Sequence, residues 1–369
     1  MTPPRVAITQ PVVPGYRVPL FESLIDRLGS RGIEARVFYG GPALRASQAR
    51  DEVVHPPWAT RVVTRAVELP FGAVYFRRLP AGWRRGTVLL TELAAGNLNA
   101  WWQIPRREPY VLLGHGKSYV TAEGKVSKEL ETVLGRRARH VLTYTKSGEE
   151  AVLERTGLPA GRVSTFYNAT DSTALANACA AATPADVADF RRTYGIPDDA
   201  RCGVYIGALE TYKKVSLLAG AARIAFAEDP RVHLVVAGSG PSDGELRALA
   251  AATGRVTMLG HTGREGLAVL AHVAEVLLVP GRVGLVAVDA LAMGLPVLTT
   301  SSTRHAPEIE YLHEGESLFT VEDDPLAYAR RWVEGFGTPP PPRWLPGIED
   351  AVDRISAALF DVVDEFARR

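Results

Sequence analysis

Short apolar runs alternate with segments of helical periodicity through most of the chain. The alternation is clearest between Ala274 and Thr300, where two apolar runs, Val276–Val279 and Val297–Thr300, flank a helical segment that reaches Met293. Neither run alternates polar with apolar residues, so both are predicted to be strands buried on both faces. Two such strands joined by a helix form a βαβ unit, the crossover that parallel strands require.

The same alternation occurs in both halves of the chain. Strand-like apolar runs begin at Arg5 and resume at Gly203, after an Ala-rich helical stretch at residues 173–200. This order predicts an α/β fold of two Rossmann-like, doubly wound domains that face each other across a cleft. The domains are predicted at residues 1–175 and 200–338, with the Ala-rich stretch as the passage between them.

A last helix is predicted at residues 348–369. Its apolar residues recur at helical spacing, and it follows a proline tract, Pro339–Pro342, that cannot belong to a helix. A helix with one apolar face needs an apolar surface to cover, so we expect it to pack back on the first domain.

Composition narrows the classes of function. The 369 residues carry a formal net charge of +1 without a long run of either sign, which argues against a nucleic-acid-binding protein held by bulk electrostatics. The two cysteines, Cys179 and Cys202, have neither redox nor metal-site spacing, which favours a reducing, cytoplasmic setting. The first residues do not form a secretory signal, and no stretch approaches the length needed to span a bilayer. Heavy use of Ala, Arg and Gly is typical of a GC-rich bacterial genome.

The loop between the strand Val276–Val279 and the next helix has the character of an anion site. In Gly281–Arg282–Val283–Gly284, small residues let backbone N–H groups approach a ligand, and the start of a helix adds unpaired amides. Asp289 lies in that helix among apolar residues, either as a solvent-facing charge or as a carboxylate that accepts hydrogen bonds from ligand hydroxyls. Lys213, after another buried strand, can reach a phosphate, although Lys213 and Lys214 together could form a solvated pair.

Candidate residues in the first half also follow predicted strands. His115 stands between two glycines after the strand Tyr110–Leu113, and the glycines are expected to remove packing so that a ligand can approach. Glu92 follows the preceding strand and could be a base or a hydroxyl contact. Further candidates at the same edge of the sheet are Gly15, Tyr16, Arg17, Lys117 and Asn168.

Two segments of the first half, 40–54 and 75–83, are predicted to be loops that select the acceptor. Basic and aromatic side chains concentrate in and after the second of them, and these are Tyr75, Phe76, Arg77, Arg78, Trp83, Arg84 and Arg85. They form either a solvated loop or a surface that faces a membrane or a lipid-linked acceptor. Peripheral membrane contact therefore stays open.

Four segments of the second half occur in a recognisable order and spacing. They are Ile206-Gly207-x-Leu209-x-x-x-Lys213, Val236-Ala-Gly238-Ser-Gly240-Pro241, Gly260-His261, and Val283-Gly284-Leu285-x-x-x-Asp289-Ala290-x-Ala292-x-Gly294-x-Pro296-Val297. Together they resemble the retaining, nucleotide-sugar-dependent glycosyltransferases of family 4, which have the GT-B fold. The resemblance is strongest from Gly203 to Pro325. The glycine pair at Gly238 lacks the third glycine of a dinucleotide fingerprint, so it does not indicate NAD.

The resemblance implies roles for individual residues. Lys213 would bind the donor diphosphate, Asp289 would accept the ribose hydroxyls, and His115 would contact the transferred sugar and the leaving phosphate. The amides of Val283, Gly284 and Leu285 would hold the distal phosphate and its sugar, while Gly260 and His261 would read the base. The implied donor site also includes Gly15, Arg17, Gly207, Gly238, Gly281 and Arg282, and the acceptor or sugar candidates are Tyr16, Glu92, Lys117 and Asn168.

Two positions depart from the family pattern. Gly281 replaces a Glu that touches the transferred sugar, and Ala208 replaces an Arg that assists the lysine. The first departure implies that the sugar is recognised differently. The second removes a positive charge from a step in which negative charge grows on the departing diphosphate, and Arg282 or Arg17 could supply it instead.

The resemblance implies a metal-independent enzyme without a cofactor that transfers a hexosyl or related sugar from a nucleoside diphosphate sugar to a hydroxyl acceptor, with retention. The acceptor would be a small molecule, a polysaccharide or other glycan, a natural product, or a lipid-linked glycan. Two alternatives stay open, a GT-B sugar-nucleotide epimerase and a catalytically weakened sugar-nucleotide-binding subunit that needs a partner.

Overall fold

The chain forms two compact units, each with its own parallel sheet. The computed structural model describes residues 3–41, 54–69, 72–119, 124–337 and 343–368. The first unit comprises Met1–Asn168 and Gly347–Arg369, and the second comprises Ala169–Pro346. The doubly wound α/β fold predicted for each half is confirmed.

The first unit contains a seven-stranded parallel sheet in the order β3-β2-β1-β6-β7-β8-β9. The strands of this unit are β1 (Arg5–Gln10), β2 (Glu34–Tyr39), β3 (Ala59–Arg61), β4 (Thr64–Leu69), β5 (Gly72–Arg77), β6 (Thr87–Glu92), β7 (Tyr110–Gly114), β8 (His140–Thr143) and β9 (Val163–Thr165). Its helices before the second unit are α1 (Val18–Gly29), α2 (Leu98–Trp101), α3 (Gln103–Arg106), α4 (Lys125–Arg137) and α5 (Lys146–Thr156).

Strands β4 and β5 are not part of the large sheet and form a separate antiparallel hairpin. The loop predicted at residues 75–83 is therefore wrong for its first residues, which belong to β5. The sequence predicts a strand at Arg61–Leu69, and this strand contains β4. Strand β5 was missed because its apolar residues are only partly buried and form no buried apolar run. Most of the other predicted acceptor loop, 40–54, lies outside the described residues.

The second unit contains a six-stranded parallel sheet in the order β12-β11-β10-β13-β14-β15. Its helices are α6 (Ser172–Ala181), α7 (Pro184–Tyr194), α8 (Val215–Glu228), α9 (Gly244–Thr253), α10 (Arg264–Val273), α11 (Val286–Met293) and α12 (Pro325–Glu334). Its strands are β10 (Arg201–Ile206), β11 (Val232–Ala237), β12 (Val256–Met258), β13 (Ala274–Leu278), β14 (Val297–Thr300) and β15 (Leu318–Val321).

The βαβ unit anticipated from the apolar runs corresponds to β13, α11 and β14. The last three residues of β13 and all four of β14 are buried, as expected for strands covered on both faces. Helix α11 ends at Gly294, which adopts the left-handed conformation common at helix C-termini. Helices α6 and α7, predicted as a passage between domains, lie within the second unit, where α6 packs against α10 and α11.

Helix α13 (Ile348–Ala367) closes the first unit by packing against α1. Val352, Ile355 and Leu359 of α13 share one hydrophobic core with Leu24 and Leu28 of α1. No helix within the described ranges combines the length and apolar character needed to cross a bilayer.

Candidate functional site

Two glycine-containing loops of the second unit pack backbone to backbone at the ends of β10 and β11. A Cβ atom on Gly238 would lie 1.9 Å from the carbonyl oxygen of Gly207, and one on Gly240 would lie 2.4 Å from that of Leu209. The Leu209 N–H donates to the Ser239 carbonyl at 3.0 Å. These glycines are thus explained by the fit of one loop on the other, without a dinucleotide.

Lys213 ends the short 3-10 helix that follows the first of these loops. Its Nζ donates to the carbonyl oxygen of Arg282 at 2.6 Å, and it has no ion pair with a carboxylate among the described residues. Burial, together with the nearby Arg282 guanidinium, lowers the pKa of Lys213 to about 8. The protein therefore holds a poorly solvated ammonium group here without a counter-charge.

Arg282 adds a second cation beside Lys213. Its guanidinium lies over the ring of Tyr212, with Cζ 4.8 Å from the ring centroid, and its backbone N–H donates to the Tyr212 carbonyl at 3.3 Å. Its Nε is buried and has no hydrogen-bond acceptor within the described part of the chain. A buried donor without an acceptor is costly, so this atom is available to an anionic ligand.

Lys214, the next residue, is held in a different way. Its Nζ donates to the hydroxyls of Thr300 and Ser302 at 3.1 and 2.9 Å and pairs with the Asp323 carboxylate at 2.7 Å. The hydrogen bond from Lys214 lowers the pKa of Asp323. The two lysines are therefore not a solvated pair: Lys214 is neutralised, and Lys213 is not.

The position of Lys213 depends on Gly281. A Cβ atom added at Gly281 would lie 2.3 Å from the Cα and carbonyl carbon of Lys213, closer than real Cβ contacts allow. The two backbones thus touch, and no side chain fits between them in this arrangement. This contact gives a physical reason for the departure at residue 281, where the family pattern has Glu.

In the loop before α11, one backbone N–H group is hydrogen-bonded within the protein and two others are not, as far as the described residues show. The Val283 N–H donates to Nδ1 of His305 at 3.1 Å, so this amide, expected to hold phosphate, already has an acceptor. The N–H groups of Gly284 and Leu285 donate no hydrogen bond within the described ranges. The sequence did not indicate His305, because only the fold brings it to Val283. Burial lowers the pKa of His305, which favours the neutral ring that accepts this hydrogen bond.

Asp289 projects from the first turns of α11 and is half-buried. Its Oδ1 accepts a hydrogen bond from the Thr170 hydroxyl at 2.9 Å. Burial raises the pKa of Asp289 to about 6, and the bond from Thr170 offsets only part of this effect. The carboxylate is therefore neither fully solvated nor paired with a cation in the described structure.

Two further candidates follow β12. Gly260 adopts a left-handed conformation with φ of 71°, which favours glycine, and His261 beside it is exposed. The replacement of the family Arg by Ala208 leaves a loop in which the Ala208 carbonyl accepts from the Tyr205 hydroxyl at 2.7 Å.

Arg17 is the central cation at the corresponding strand ends of the first unit. It lies in the short 3-10 helix Gly15–Arg17 that follows β1, and its guanidinium is buried. It donates to the hydroxyl of Tyr144 at 2.8 Å and to the side-chain oxygens of Gln10 and Asn168 at 3.4 Å each. The ring of Tyr16 lies 5.9 Å from its Cζ. Tyr144, which the sequence did not single out, links this arginine to His115.

His115 is exposed after β7 and meets the ring of Tyr144 edge-on, with centroids 4.8 Å apart. A Cβ atom on the following residue, Gly116, would lie 2.4 Å from the Gly148 carbonyl oxygen, so this glycine allows two backbones to touch. Lys117 lies over the ring of Tyr119 at 4.8 Å. The glycine is therefore explained by internal packing, while the histidine itself stays accessible.

Glu92 is bound within the protein. It accepts two hydrogen bonds from the buried guanidinium of Arg77, at 2.8 and 2.7 Å, and one from the Thr91 hydroxyl at 3.1 Å. Asn97 also reaches the same carboxylate, at 3.4 Å. Its carboxylate is thus engaged before any ligand arrives.

Residues 201–334, within the second unit, match a protein family described as Glycosyl transferases group 1. The alpha-D-kanosaminyltransferase of Streptomyces kanamyceticus is 28% identical over 180 residues, which cover 47% of this chain and 45% of the relative. The chain therefore spans about half the length of that curated relative.

Two solved structures resemble the whole chain. HepE from Anabaena, in complex with UDP, gives a TM-score of 0.60 at 16% identity over 99% of this chain and 98% of that chain. UDP-GlcNAc 2-epimerase from Methanocaldococcus jannaschii gives 0.60 at 11% identity over 96% and 99%. Identities this low establish the fold alone, which is GT-B as the sequence predicts.

Proposed function

We propose that this chain is a glycosyltransferase that uses a nucleoside diphosphate sugar as donor and a hydroxyl compound as acceptor. The observation that carries the proposal is the pair of half-buried cations, Lys213 and Arg282, with no carboxylate paired to Lys213 among the described residues. A diphosphate supplies the missing negative charge. The match of residues 201–334 to Glycosyl transferases group 1 covers both cations and supports the same assignment.

The chemistry that this arrangement favours is departure of a nucleoside diphosphate. Negative charge grows on the leaving oxygen as the sugar acquires oxocarbenium character, and fixed cations stabilise that charge without reorganisation. Lys213 and Arg282 supply the charge, and the N–H groups of Gly284 and Leu285 supply donors at the start of α11. In this assignment Arg282 compensates for the arginine that is absent at Ala208.

The other candidate residues take the remaining parts of the donor and acceptor. Asp289 accepts the ribose hydroxyls, Gly260 and His261 contact the base, and His115 faces the transferred sugar. The acceptor binds to the first unit, where Tyr16, Lys117 and Asn168 are candidates. Glu92 is a weaker candidate for acceptor binding, because its carboxylate already accepts two hydrogen bonds from Arg77.

We assign retention of configuration and family 4 on the sequence resemblance. In this mechanism the acceptor attacks from the side of the leaving group, and the departing phosphate helps to take the acceptor proton. Catalysis is proposed to be metal-independent because protein cations stabilise the leaving group. A loss of turnover in chelator that Mn²⁺ restores would contradict this part.

The names of similar proteins guide the choice of donor. HepE has been solved in complex with UDP-glucose as well as with UDP, and the Streptomyces relative is named an alpha-D-kanosaminyltransferase. We therefore place UDP-sugars first among the donors to be tested. The setting we propose is cytoplasmic, and the two buried free cysteines are compatible with it.

The test is a thermal-shift panel of UDP, GDP, TDP and their sugars. A ligand that binds only the folded state raises the midpoint in proportion to the logarithm of its concentration over its Kd. We expect one nucleotide to raise the midpoint of the native protein and to have no effect on Lys213→Ala. If no nucleotide shifts the midpoint, the proposed donor site is wrong.

Product analysis with the nucleotide sugar identified in this way tests the reaction. Transfer to an added acceptor supports the glycosyltransferase. Conversion of the donor to an isomer without an acceptor would instead show an epimerase. Nucleotide binding without turnover, with turnover restored by a second protein, would show a binding subunit.

A further inference from the structure

The first unit contains a cavity of about 340 Å³ between the β4–β5 hairpin and the short helices α2 and α3. None of the individual donor and acceptor candidates named under the proposed function lines it, although part of the predicted acceptor loop 75–83 does. Its lining consists of Val63, Arg65, Phe76, Arg77, Arg78, Leu79, Arg84, Asn99, Trp102, Gln103 and Arg106. A volume of this size admits a small molecule or the headgroup of a larger one.

The charged side chains that line this cavity, among the described residues, are all positive. Five arginines line it, and no acidic residue is among the described residues of its wall. Within the described part of the chain, Arg77 alone among them is neutralised, by Glu92. The side chains of Arg65 and Arg78 have no hydrogen bond or ion pair within the described ranges, although the chain as a whole has a formal net charge of only +1. The cavity therefore concentrates positive charge that no neighbouring carboxylate offsets.

The other two arginines are oriented by backbone carbonyls. Arg84 donates to Leu79 at 2.7 Å, and Arg106 donates to the carbonyl of Arg84 at 3.5 Å. Neutral acceptors fix a guanidinium without cancelling its charge. Arg106 also lies over the ring of Trp102, with Cζ 4.8 Å from the centroid. Planar guanidinium groups held in this way suit the oxygen atoms of a phosphate.

The rim of the cavity is apolar and unusually exposed. Val63, in the wall, is 69% exposed, and Val67, two residues after Arg65 on the same face of β4, is 62% exposed. Trp102, in the wall itself, is 50% exposed. Apolar and aromatic side chains that surround arginines are typical of surfaces that enter the headgroup region of a bilayer. An apolar rim gives a soluble ion no advantage, whereas it adds binding energy for an acyl-bearing ligand.

We propose that this cavity binds the phosphate headgroup of an anionic lipid, with Val63, Val67 and Trp102 inserted at the membrane surface. Arg65 and Arg78 make the contacts that depend on phosphate, because their side chains have no hydrogen-bond or ion-pair partner among the described residues. The site is independent of the proposed donor site, which lies in the second unit.

Vesicle flotation with the full-length chain tests the proposal. The chain is expected to float with phosphatidylcholine vesicles that contain phosphatidylglycerol and to remain in solution with phosphatidylcholine alone. Arg65→Ala/Arg78→Ala should weaken binding about tenfold or more, since each arginine near an anionic surface contributes on the order of 1 kcal/mol. Arg192→Ala/Arg330→Ala removes the same charge from exposed positions in the second unit and should bind as the native chain does.

Two further arms separate a lipid site from its alternatives. Trp102→Ala should weaken vesicle binding, and thermal unfolding of each variant shows that the fold is retained. Equal losses in the two double variants would overturn the proposal, since they would indicate bulk attraction only. Stabilisation by inorganic phosphate that requires Arg65 and Arg78, without any vesicle binding, would overturn the lipid assignment in favour of a soluble phosphate.

Discussion

Each unit holds a poorly solvated cation, and among the described residues only the one in the first unit has a carboxylate partner. In the first unit, Arg77 is 1% exposed and forms two hydrogen bonds to Glu92 and a third to the Gly40 carbonyl. In the second unit, the Lys213 ammonium donates to a backbone carbonyl and has a pKa lowered to about 8 by burial and Arg282. One charge is compensated by a carboxylate of the protein, and the other is not compensated within the described ranges.

This difference separates a structural charge from a functional one. A buried ion pair depends on both partners, because removal of one leaves an uncompensated charge in a poorly solvated place. A buried cation without a partner already carries that cost, which a protein retains where a ligand removes it. Whether a charge is compensated therefore distinguishes the candidate residues better than their residue type does. Lys213 and Lys214 are adjacent lysines that differ in this respect.

The largest effect is expected from Glu92→Gln. The substitution leaves Arg77 buried without a counter-charge and should lower the free energy of unfolding by about 3 kcal/mol. Denaturant unfolding measures this, with Glu68→Gln on the exposed hairpin as the matched control. If the variant keeps its stability but loses turnover, Glu92 is an acceptor contact and not a structural partner of Arg77.

Lys213→Met should have the next largest effect, on catalysis. Loss of one cation that stabilises the leaving diphosphate is expected to lower kcat about 100-fold. Lys214→Met is the control, since Lys214 is bonded to Asp323 and two hydroxyl groups and should affect turnover far less. Equal losses in the two variants would show that charge compensation does not distinguish their roles.

Gly281→Ala should have an intermediate effect on both stability and donor binding. The new methyl group would need to displace the Lys213 backbone, at a cost of about 1–3 kcal/mol. Gly284→Ala is the control for stability, because its nearest neighbour beyond the adjacent residues is the Ala306 Cβ at 3.6 Å, an ordinary contact. Thermal unfolding measures the change in stability. An unchanged unfolding midpoint for Gly281→Ala would mean that Gly281 does not fix the position of Lys213.

Lys213→Met is expected to raise the stability of the folded protein at neutral pH. This effect is smaller than the losses predicted above and opposite to them in sign. The folded pKa of about 8 lies below the ordinary value of 10.5, so the unfolded chain binds more protons between these values and stability rises with pH there. Below that window the cost of burying the charge is fully present. At pH 7 the variant should therefore be more stable than the native chain by on the order of 1 kcal/mol, with little difference near pH 11. Urea unfolding at both pH values checks the sign, and destabilisation at pH 7 would contradict it.

The sequence predicted elements well where apolar runs were buried on both faces. Strand β14 matches its predicted bounds, since Val297–Thr300 is a continuous apolar run that ends in two buried threonines. Strand β4 falls within the strand predicted at Arg61–Leu69, whereas β5 was not predicted because its apolar residues are only partly buried and form no buried run.

The candidate site was predictable as a set of loops but not as a set of contacts. Lys213, Arg282 and Asp289 were found because charged residues stood beside buried strands or inside an apolar helix. The roles of His305 and Tyr144 depend on partners distant in the chain, Val283 and Arg17, and no local spacing encodes these pairs. The contact between Gly281 and Lys213 is of the same kind.

The smallest predicted effect concerns pH and Asp289. Burial raises the pKa of its carboxyl from 3.8 to about 6, so the group is ionised above pH 6 and neutral below. If the ionised form accepts ribose hydroxyls, affinity for a nucleotide sugar should fall as pH falls through 6, by at most about tenfold per pH unit. A nucleotide sugar is the suitable ligand because its diphosphate, esterified at both ends, does not titrate near pH 6. Calorimetric titration of the native chain and of Asp289→Asn separates this group from others, since the variant should bind weakly and without that pH dependence. Equal pH profiles would mean that Asp289 stays bonded to Thr170 and does not contact the ribose.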